Sequence, residues 1–416
     1  MRVFDQSFRP FFFKLLVTPV QFGSSLFAWR YFFDDLNSRD IILIGAILSF
    51  QFISVVSLLG SHVSISNAVI DGKTLTNRTI VHSFITSAIF FLVLFIVIEF
   101  SKYPSLHQIG ISQPSPRLIL LTLLCFLSVS PTALVQSVVV VSGSANSVNI
   151  SAGISSFFLL LGIGILQVKN VVLNIEGVLT LLFVSQLSGL IYLLFVMNKL
   201  PKRRDLHVKY RDFIVYFNFG AWLISIVAPL AGQMDRYLVA KYGSIQQTLD
   251  INAINRIMFA IFPILSWVGA LFWNEARSRP NFKTLFRHLQ VMLVVLIFFS
   301  AFIFIFLSTL MEFILPAAGK VTVELKIVLV INIVFYGLFI IFGTYLSSKR
   351  GQFFLATCSG VFFLLNVKLS PVWLQTPSIV GYYSGLIFIQ FFILLLPTII
   401  YSLILARRST LFLDLD

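Results

Sequence analysis

Apolar runs of about 20 residues, the length an α-helix needs to cross a bilayer, recur from one end of this 416-residue chain to the other. In Leu289–Leu307, apolar residues reach every side of the run. A transmembrane β-strand would instead alternate apolar and polar residues over about 10 positions. In lipid every backbone N–H and C=O must be satisfied internally, which makes such runs helices. Composition closes off the soluble alternative. Only 11% of the residues are charged and 58% are hydrophobic, with 46 phenylalanines. A soluble protein carries about 25% charged residues.

The pattern predicts an all-α integral membrane protein of twelve helices, at 11–31, 41–66, 79–99, 117–141, 149–168, 174–197, 212–233, 249–273, 288–310, 321–347, 352–370 and 379–405. Lys368 and Pro371 shorten the eleventh. Arg2, Arg9 and Lys14 precede an apolar run with no small-residue cleavage site, which reads as a retained first helix. Cys125 and Cys358 both fall inside apolar runs and read as small buried hydrophobes.

Lys and Arg concentrate on the cytoplasmic side of membrane proteins. With the N-terminus inside, the inner segments hold 19 of them and the outer segments 10, leaving Arg256 alone within a span. Acidic residues number 7 on inner and 9 on outer segments, so the net charge is +12 inside and +1 outside. Both termini are therefore expected in the cytoplasm. The overall charge of +14 reads as a topology signal and implies no nucleic-acid partner.

The most basic stretch, Lys199–Arg211, sits near the middle of the chain. It is positioned to touch anionic membrane lipids. It divides the sequence into an N-terminal six-helix bundle at 1–198, a cytoplasmic linker at 199–211 and a C-terminal six-helix bundle at 212–416. Both halves would start inside, as in a parallel repeat. Arg30-Tyr31 and Arg236-Tyr237 fall at the outer end of the first helix of each half, a faint internal echo.

Several chemistries are missing. No GxxxxGK[ST] run offers an ATP site. His62, His82, His107, His207 and His288 show no HExxH spacing and no adjacent cysteine ligands. Asp34-Asp35, the only acidic pair, reads as a solvated outer loop. Asn77-Arg78-Thr79 fits a glycosylation sequon on the inner face and is discounted. No metal or cofactor is expected. The connecting segments are short, which disfavours an enzyme acting on a large external substrate.

Polar residues within spans are expensive and point to function. Asn252, Asn255 and Arg256 fall at i, i+3 and i+4 of the eighth helix and share one face. Asp235 and Arg236 lie just outside the seventh helix, and Asp235 is expected to pair with Arg256. That pair fits a structural tie or a substrate contact equally well. Gln51, Ser54, Ser57, Ser61 and Ser64 form a polar stripe on the second helix, beside His62, that fits either a passage or close helix packing. Gln136 and Gln186 need partners inside the membrane. Lys14 is placed to snorkel to the inner interface, or to meet an anionic head group.

Residues 235–243 (DRYLVAKYG), Asn255-Arg256-Ile257 and 271–276 (LFWNEA) together resemble polysaccharide flippases of the Wzx type. These belong to a superfamily that includes the MATE drug exporters and the lipid II flippases. The resemblance implies two six-helix bundles in a V, with a central cavity opening alternately to either side. It implies an oligosaccharide on polyprenyl pyrophosphate as substrate, as in O-antigen and lipopolysaccharide synthesis. It also implies a bacterial inner membrane location and, as partners, other membrane proteins of polysaccharide assembly. A pyrophosphate requires positive charge, best supplied by Arg. Arg256 and Arg30 lead, with Lys14 third, and Arg236, Asp235, Asn252 and Asn255 complete the candidate set. Two rivals stand beside this reading: an ion-coupled small-molecule exporter of the same fold, and a membrane enzyme of polysaccharide assembly. The acidic residues lie at helix ends or in loops, which disfavours proton coupling.

Overall fold

Helices in lipid gain little from the hydrophobic effect and associate through close packing and interhelical hydrogen bonds. Both devices shape this chain. The computed structural model describes residues 17, 21, 23–36, 40, 41, 44, 85, 88, 89, 92, 93, 115–141, 145–199, 219–278, 282–316, 319–346, 349–376 and 378–413. Among these the regular structure is entirely helical. The chain divides into two compact units, Met1–Asn218 and Phe219–Asp416.

In the first unit, α1 covers 23–35, α2 is Pro116–Val141, α3 is Ala145–Val168 and α4 is Ile175–Lys199. Most of the expected second and third spans lie outside the described residues, the serine stripe and His62 included. Serines and a glycine join α3 to α4. Ser151 Oγ donates to the Gly189 carbonyl (2.9 Å), and Ser185 Oγ donates to the Ser155 carbonyl (2.8 Å). A Cβ on Gly189 would overlap Ser155 Oγ. Between α2 and α4, Val135, Val139, Leu190 and Leu193 form a buried apolar cluster. Gln186 finds its partner there, accepting from Ser128 Oγ at 2.7 Å.

The ends of α1, α2, α3 and α4 meet at one pole. Asn170, at φ 50°, closes α3 in the left-handed conformation that Asn tolerates. The next amide, of Val171, returns to the Leu166 carbonyl at 3.1 Å. Asp35 accepts from the Leu173 amide (3.0 Å), while Glu176 accepts from Ser115 Oγ (2.8 Å) and pairs with Arg117 (3.3 Å). Asp34 pairs with Arg30. The acidic pair expected in a solvated loop thus ends α1 and ties it to the α3–α4 turn.

The second unit contains α5 (Phe219–Tyr242), α6 (Ile245–Ser278), α7 (Phe282–Ile314), α8 (Val323–Thr344) and α9 (Lys349–Trp373). The last span is α10 (Ile379–Ile389), a π-helical turn Gln390–Leu395, and α11 (Leu396–Leu413). By length and composition six spans suit a membrane crossing: Asn146–Val168, Ile175–Lys199, Phe282–Ile314, Val323–Thr344, Gly351–Trp373 and Ile379–Arg407. The chain is a multi-pass membrane protein.

Of the boundaries that differ from expectation, three have a clear local cause. Helix α5 runs nine residues beyond 233 and stops only where Gly243 closes it, its amide bonding the Val239 carbonyl at 2.8 Å. Helix α6 starts at Ile245 through a capping box. Ser244 Oγ accepts from the Gln247 amide (3.2 Å), and Gln247 Oε1 accepts from the Ser244 amide (2.7 Å). Helix α9 continues through Pro371 to Trp373. The proline supplies no N–H for the Val367 carbonyl, and only two residues of the helix lie beyond it.

The turns α5–α6, α7–α8 and α9–α10 gather at one pole. Gln247 Nε2 donates to the Thr376 carbonyl (2.6 Å), and the Gly319 amide donates to Asp250 Oδ1 (2.7 Å). Successive helices of this unit are therefore antiparallel. Helices α5 and α9 are in close backbone approach at Gly220, where a Cβ would overlap the backbone of Gln352 and Phe353. Backbone atoms cannot swing aside as a side chain can. Gly220→Ala is accordingly expected to destabilise the protein by about 1–3 kcal/mol, as overpacking does. Gly360→Ala, whose Cβ would meet only Val227 Cγ1 at 3.9 Å, serves as the tolerated control. Thermal unfolding of the two variants in detergent measures the difference.

Candidate functional site

Extension of α5 changes the setting of Asp235 and Arg236. Both lie inside the helix, two turns before Tyr242, about 10 Å at 1.5 Å per residue. On the sequence Asp235 was expected to pair with Arg256. In the structure its Oδ1 accepts from Tyr382 on α10 (2.7 Å) and from Asn366 Nδ2 on α9 (2.9 Å). Asn366 and Tyr382 are wholly buried. Asn366 Oδ1 in turn accepts from Ser370 Oγ at 2.9 Å, one turn along α9. One carboxylate thus ties three helices together through neutral donors.

Arg236 points about 100° away from Asp235 around the helix. It is 3% exposed and lies within electrostatic reach of Tyr383, Asp235 and Arg256. Arg256 stands eleven residues into α6, deeper than the sequence boundaries placed it. It is half-buried, as is Asn255. Asn252 is 2% exposed and donates Nδ2 to the Thr248 carbonyl at 3.0 Å. Asp250, at the top of α6, accepts from the Gly319 amide and from Gln246 Nε2 (3.0 Å). The region therefore holds two carboxylates, both engaged by neutral donors, and two guanidiniums within electrostatic reach of each other.

The remaining candidates are elsewhere. Arg30 belongs to the first unit and bonds Asp34 at 2.9 Å across one helical turn, both side chains partly exposed. Such a pair contributes at most about 1 kcal/mol. Lys14 lies outside the described residues. Lys368 is exposed on α9.

Sequence reading missed Asn366, Ser370 and Tyr382. The i, i+4 spacing of Asn366 and Ser370 places both on one face of the eleventh span. That signal was present beside the more conspicuous Lys368 and Pro371. His288 is also resolved: it is fully buried, stacks on Phe272 at 4.0 Å and bonds Tyr345 Oη through Nδ1 at 2.8 Å. Among the described residues no group of three or more His, Cys, Asp or Glu side chains could hold a metal ion.

No protein-family model matches the sequence, and no curated protein matches it significantly. Solved structures do match over nearly the whole chain. One is a multidrug resistance MATE family transporter of the MOP superfamily in an outward-facing conformation. It has a TM-score of 0.67 and 10% identity, over 98% of this chain and 96% of that one. Another is the lipid II flippase MurJ in an inward closed conformation, with a TM-score of 0.65 and 14% identity, over 97% and 91%. A third is a MOP superfamily transporter from Pyrococcus furiosus, described by the reverse polarity of its binding pocket. Its TM-score is 0.63 at 12% identity, over 98% and 95%. At these identities the likeness is one of fold, the fold of the MATE transporters and of MurJ.

Hydrogen bonds at a buried carboxylate are worth more than those at the surface. Tyr382→Phe is expected to cost about 1–3 kcal/mol of stability. Combined with Asn366→Ala the losses should not add, because both side chains donate to the same oxygen. A double-mutant cycle on thermal unfolding reads the coupling, and strict additivity would contradict the shared-acceptor geometry.

Proposed function

We propose that this protein is a flippase that carries a polyprenyl-pyrophosphate-linked oligosaccharide across the bacterial inner membrane by alternating access, with both termini cytoplasmic. The observation that carries the reading is that Arg236 on α5 and Arg256 on α6 lie within electrostatic reach of each other in the second unit. Two like charges brought together away from water repel each other and lose hydration. An anionic ligand relieves both costs. Asp235 and Asp250 are turned to neutral donors, which favours a group with dense negative charge and several acceptor oxygens. A pyrophosphate has both.

The fold shared with MurJ, whose description names lipid II, supports a lipid-linked cargo. The resemblance of residues 235–276 to Wzx-type flippases supports an oligosaccharide on it. The two compact units and the inward charge bias support six helices per bundle, with the N-terminus inside. In this reading Asn252 and Asn255 bind cargo beside the arginines, Arg30 and Lys14 are further candidate cargo contacts of the N-terminal half, and Asp235 holds the arginine-bearing helix in place. The other partners are membrane lipids and the membrane proteins that extend the polysaccharide.

One observation favours a second reading, ion-coupled export of a small molecule. Asp235 is a buried carboxylate inside a helix, not at a helix end, and the fold is also that of MATE transporters. Drug efflux from cells expressing the protein, with and without an ionophore, tests that reading.

The first reading is tested by deleting the gene in its native host. Surface polysaccharide should fall while the lipid-linked repeat unit accumulates on the cytoplasmic face, and the wild-type copy should restore both. Arg256→Ala should restore less than about a tenth of the flux, and Arg256→Lys clearly more, since it keeps the charge but loses the fork geometry. A repeat unit that reaches the outer face unpolymerised would point instead to an enzyme acting after transport. Full complementation by Arg256→Ala would remove the charge argument.

A further inference from the structure

Asn252 Oδ1 is buried and accepts no hydrogen bond among the described residues, although Nδ2 of the same amide is bonded to Thr248. A buried acceptor without a donor is destabilising, and an apolar side chain of the same shape would avoid that cost. The oxygen shares a helix face with Arg256, one turn away. Asn255 and Arg256 form the half-exposed part of that face.

An ionised pyrophosphate carries acceptors only. It matches the arginine N–H groups, and it has nothing to donate to an amide oxygen. The sugar esterified to a pyrophosphate supplies hydroxyl donors next to it. Asn252 and Arg256 stand one turn apart on the same helix face, so neighbouring groups of one ligand can meet both.

We propose that Asn252 Oδ1 accepts a hydrogen bond from the sugar directly attached to the pyrophosphate, so that Asn252 distinguishes the loaded carrier from bare polyprenyl pyrophosphate. The inference rests on the lipid-linked oligosaccharide reading above. It gives the site a reason to pair strong cation donors with one unoccupied acceptor. A site built to bond a hydroxyl discriminates well against the analogue that lacks it, because its own polar group is then stranded.

The test compares two probes on the full-length protein in detergent by native mass spectrometry: undecaprenyl pyrophosphate, and the same lipid carrying one N-acetylhexosamine. Wild type should bind the glycosylated lipid about tenfold more tightly. Asn252→Leu should bring the ratio close to one by weakening the glycosylated lipid alone, with the unfolding midpoint unchanged or raised. A merely structural asparagine would instead lower the midpoint and leave the ratio intact. Asn252→Ala replaces the leucine variant if that variant does not fold. Equal binding of the two probes by wild type, or a ratio unmoved by the substitution, overturns the inference and leaves the transport reading standing. If wild type binds neither lipid, the transport reading itself fails and the inference with it.

Discussion

Charge held away from water must be answered by hydrogen bonds or opposite charge, and the second unit is organised around that requirement. Asp235 is satisfied by Tyr382 and Asn366, and Asp250 by the Gly319 amide and Gln246. Each of these contacts joins helices or loops far apart in sequence, apart from Gln246. Removing one partner of a buried charge is far more damaging than exchanging a surface residue. The same contacts that make the carboxylates tolerable therefore hold α5, α9 and α10 together. They also fix the face of α5 from which Arg236 departs. Formal charge in the cluster is balanced, two acids against two arginines. The acids accept hydrogen bonds from neutral donors, and each arginine lies within electrostatic reach of the other.

The last span is anchored on both sides of a break in its regular helical bonding. Its first half is pinned to α5 and α9 through Tyr382. Its second half is pinned to α8, where Ser402 Oγ donates to the Phe342 carbonyl at 2.8 Å. Between them Pro397 supplies no N–H for the Ile393 carbonyl. The chain accommodates this with a π-turn, the Leu396 amide bonding Phe391 O. Proline and π-turns are common sites of helix bending, and this one separates two independently anchored segments.

Much of the architecture was legible in the residues. All six helices of the second unit were found by their apolar runs, because lipid demands long uninterrupted segments. The differences lie at the helix ends, because charge does not mark the edge of the helix here. Asp235 and Arg236 looked like the end of a helix, yet they are its buried interior. Gly243, then Ser244 and Gln247 in capping-box spacing, mark the true boundary, and that chemistry is local enough to read from sequence. The arginine face of α6 was legible from its i, i+3, i+4 spacing. The partners of Asp235 were not, since Asn366 and Tyr382 lie 131 and 147 residues away along the chain. Only tertiary packing assigns a carboxylate to one donor over another. The i+4 bond of Arg30 to Asp34 was within reach of helix periodicity. The loop-like Asp34-Asp35 pair obscures it, although α1 continues to residue 35.

The central claim is that the paired arginines accept the pyrophosphate of a saccharide-bearing lipid on its way across the membrane. Purified protein in sealed vesicles tests it most directly, with a fluorescent polyprenyl-pyrophosphate saccharide as cargo and an impermeant quencher outside. The account predicts that wild-type protein makes both leaflets' label accessible to the quencher, and that Arg236→Gln with Arg256→Gln abolishes this while the fold persists. Vesicles whose inner-leaflet label stays protected by the bilayer in the presence of folded wild-type protein would contradict it.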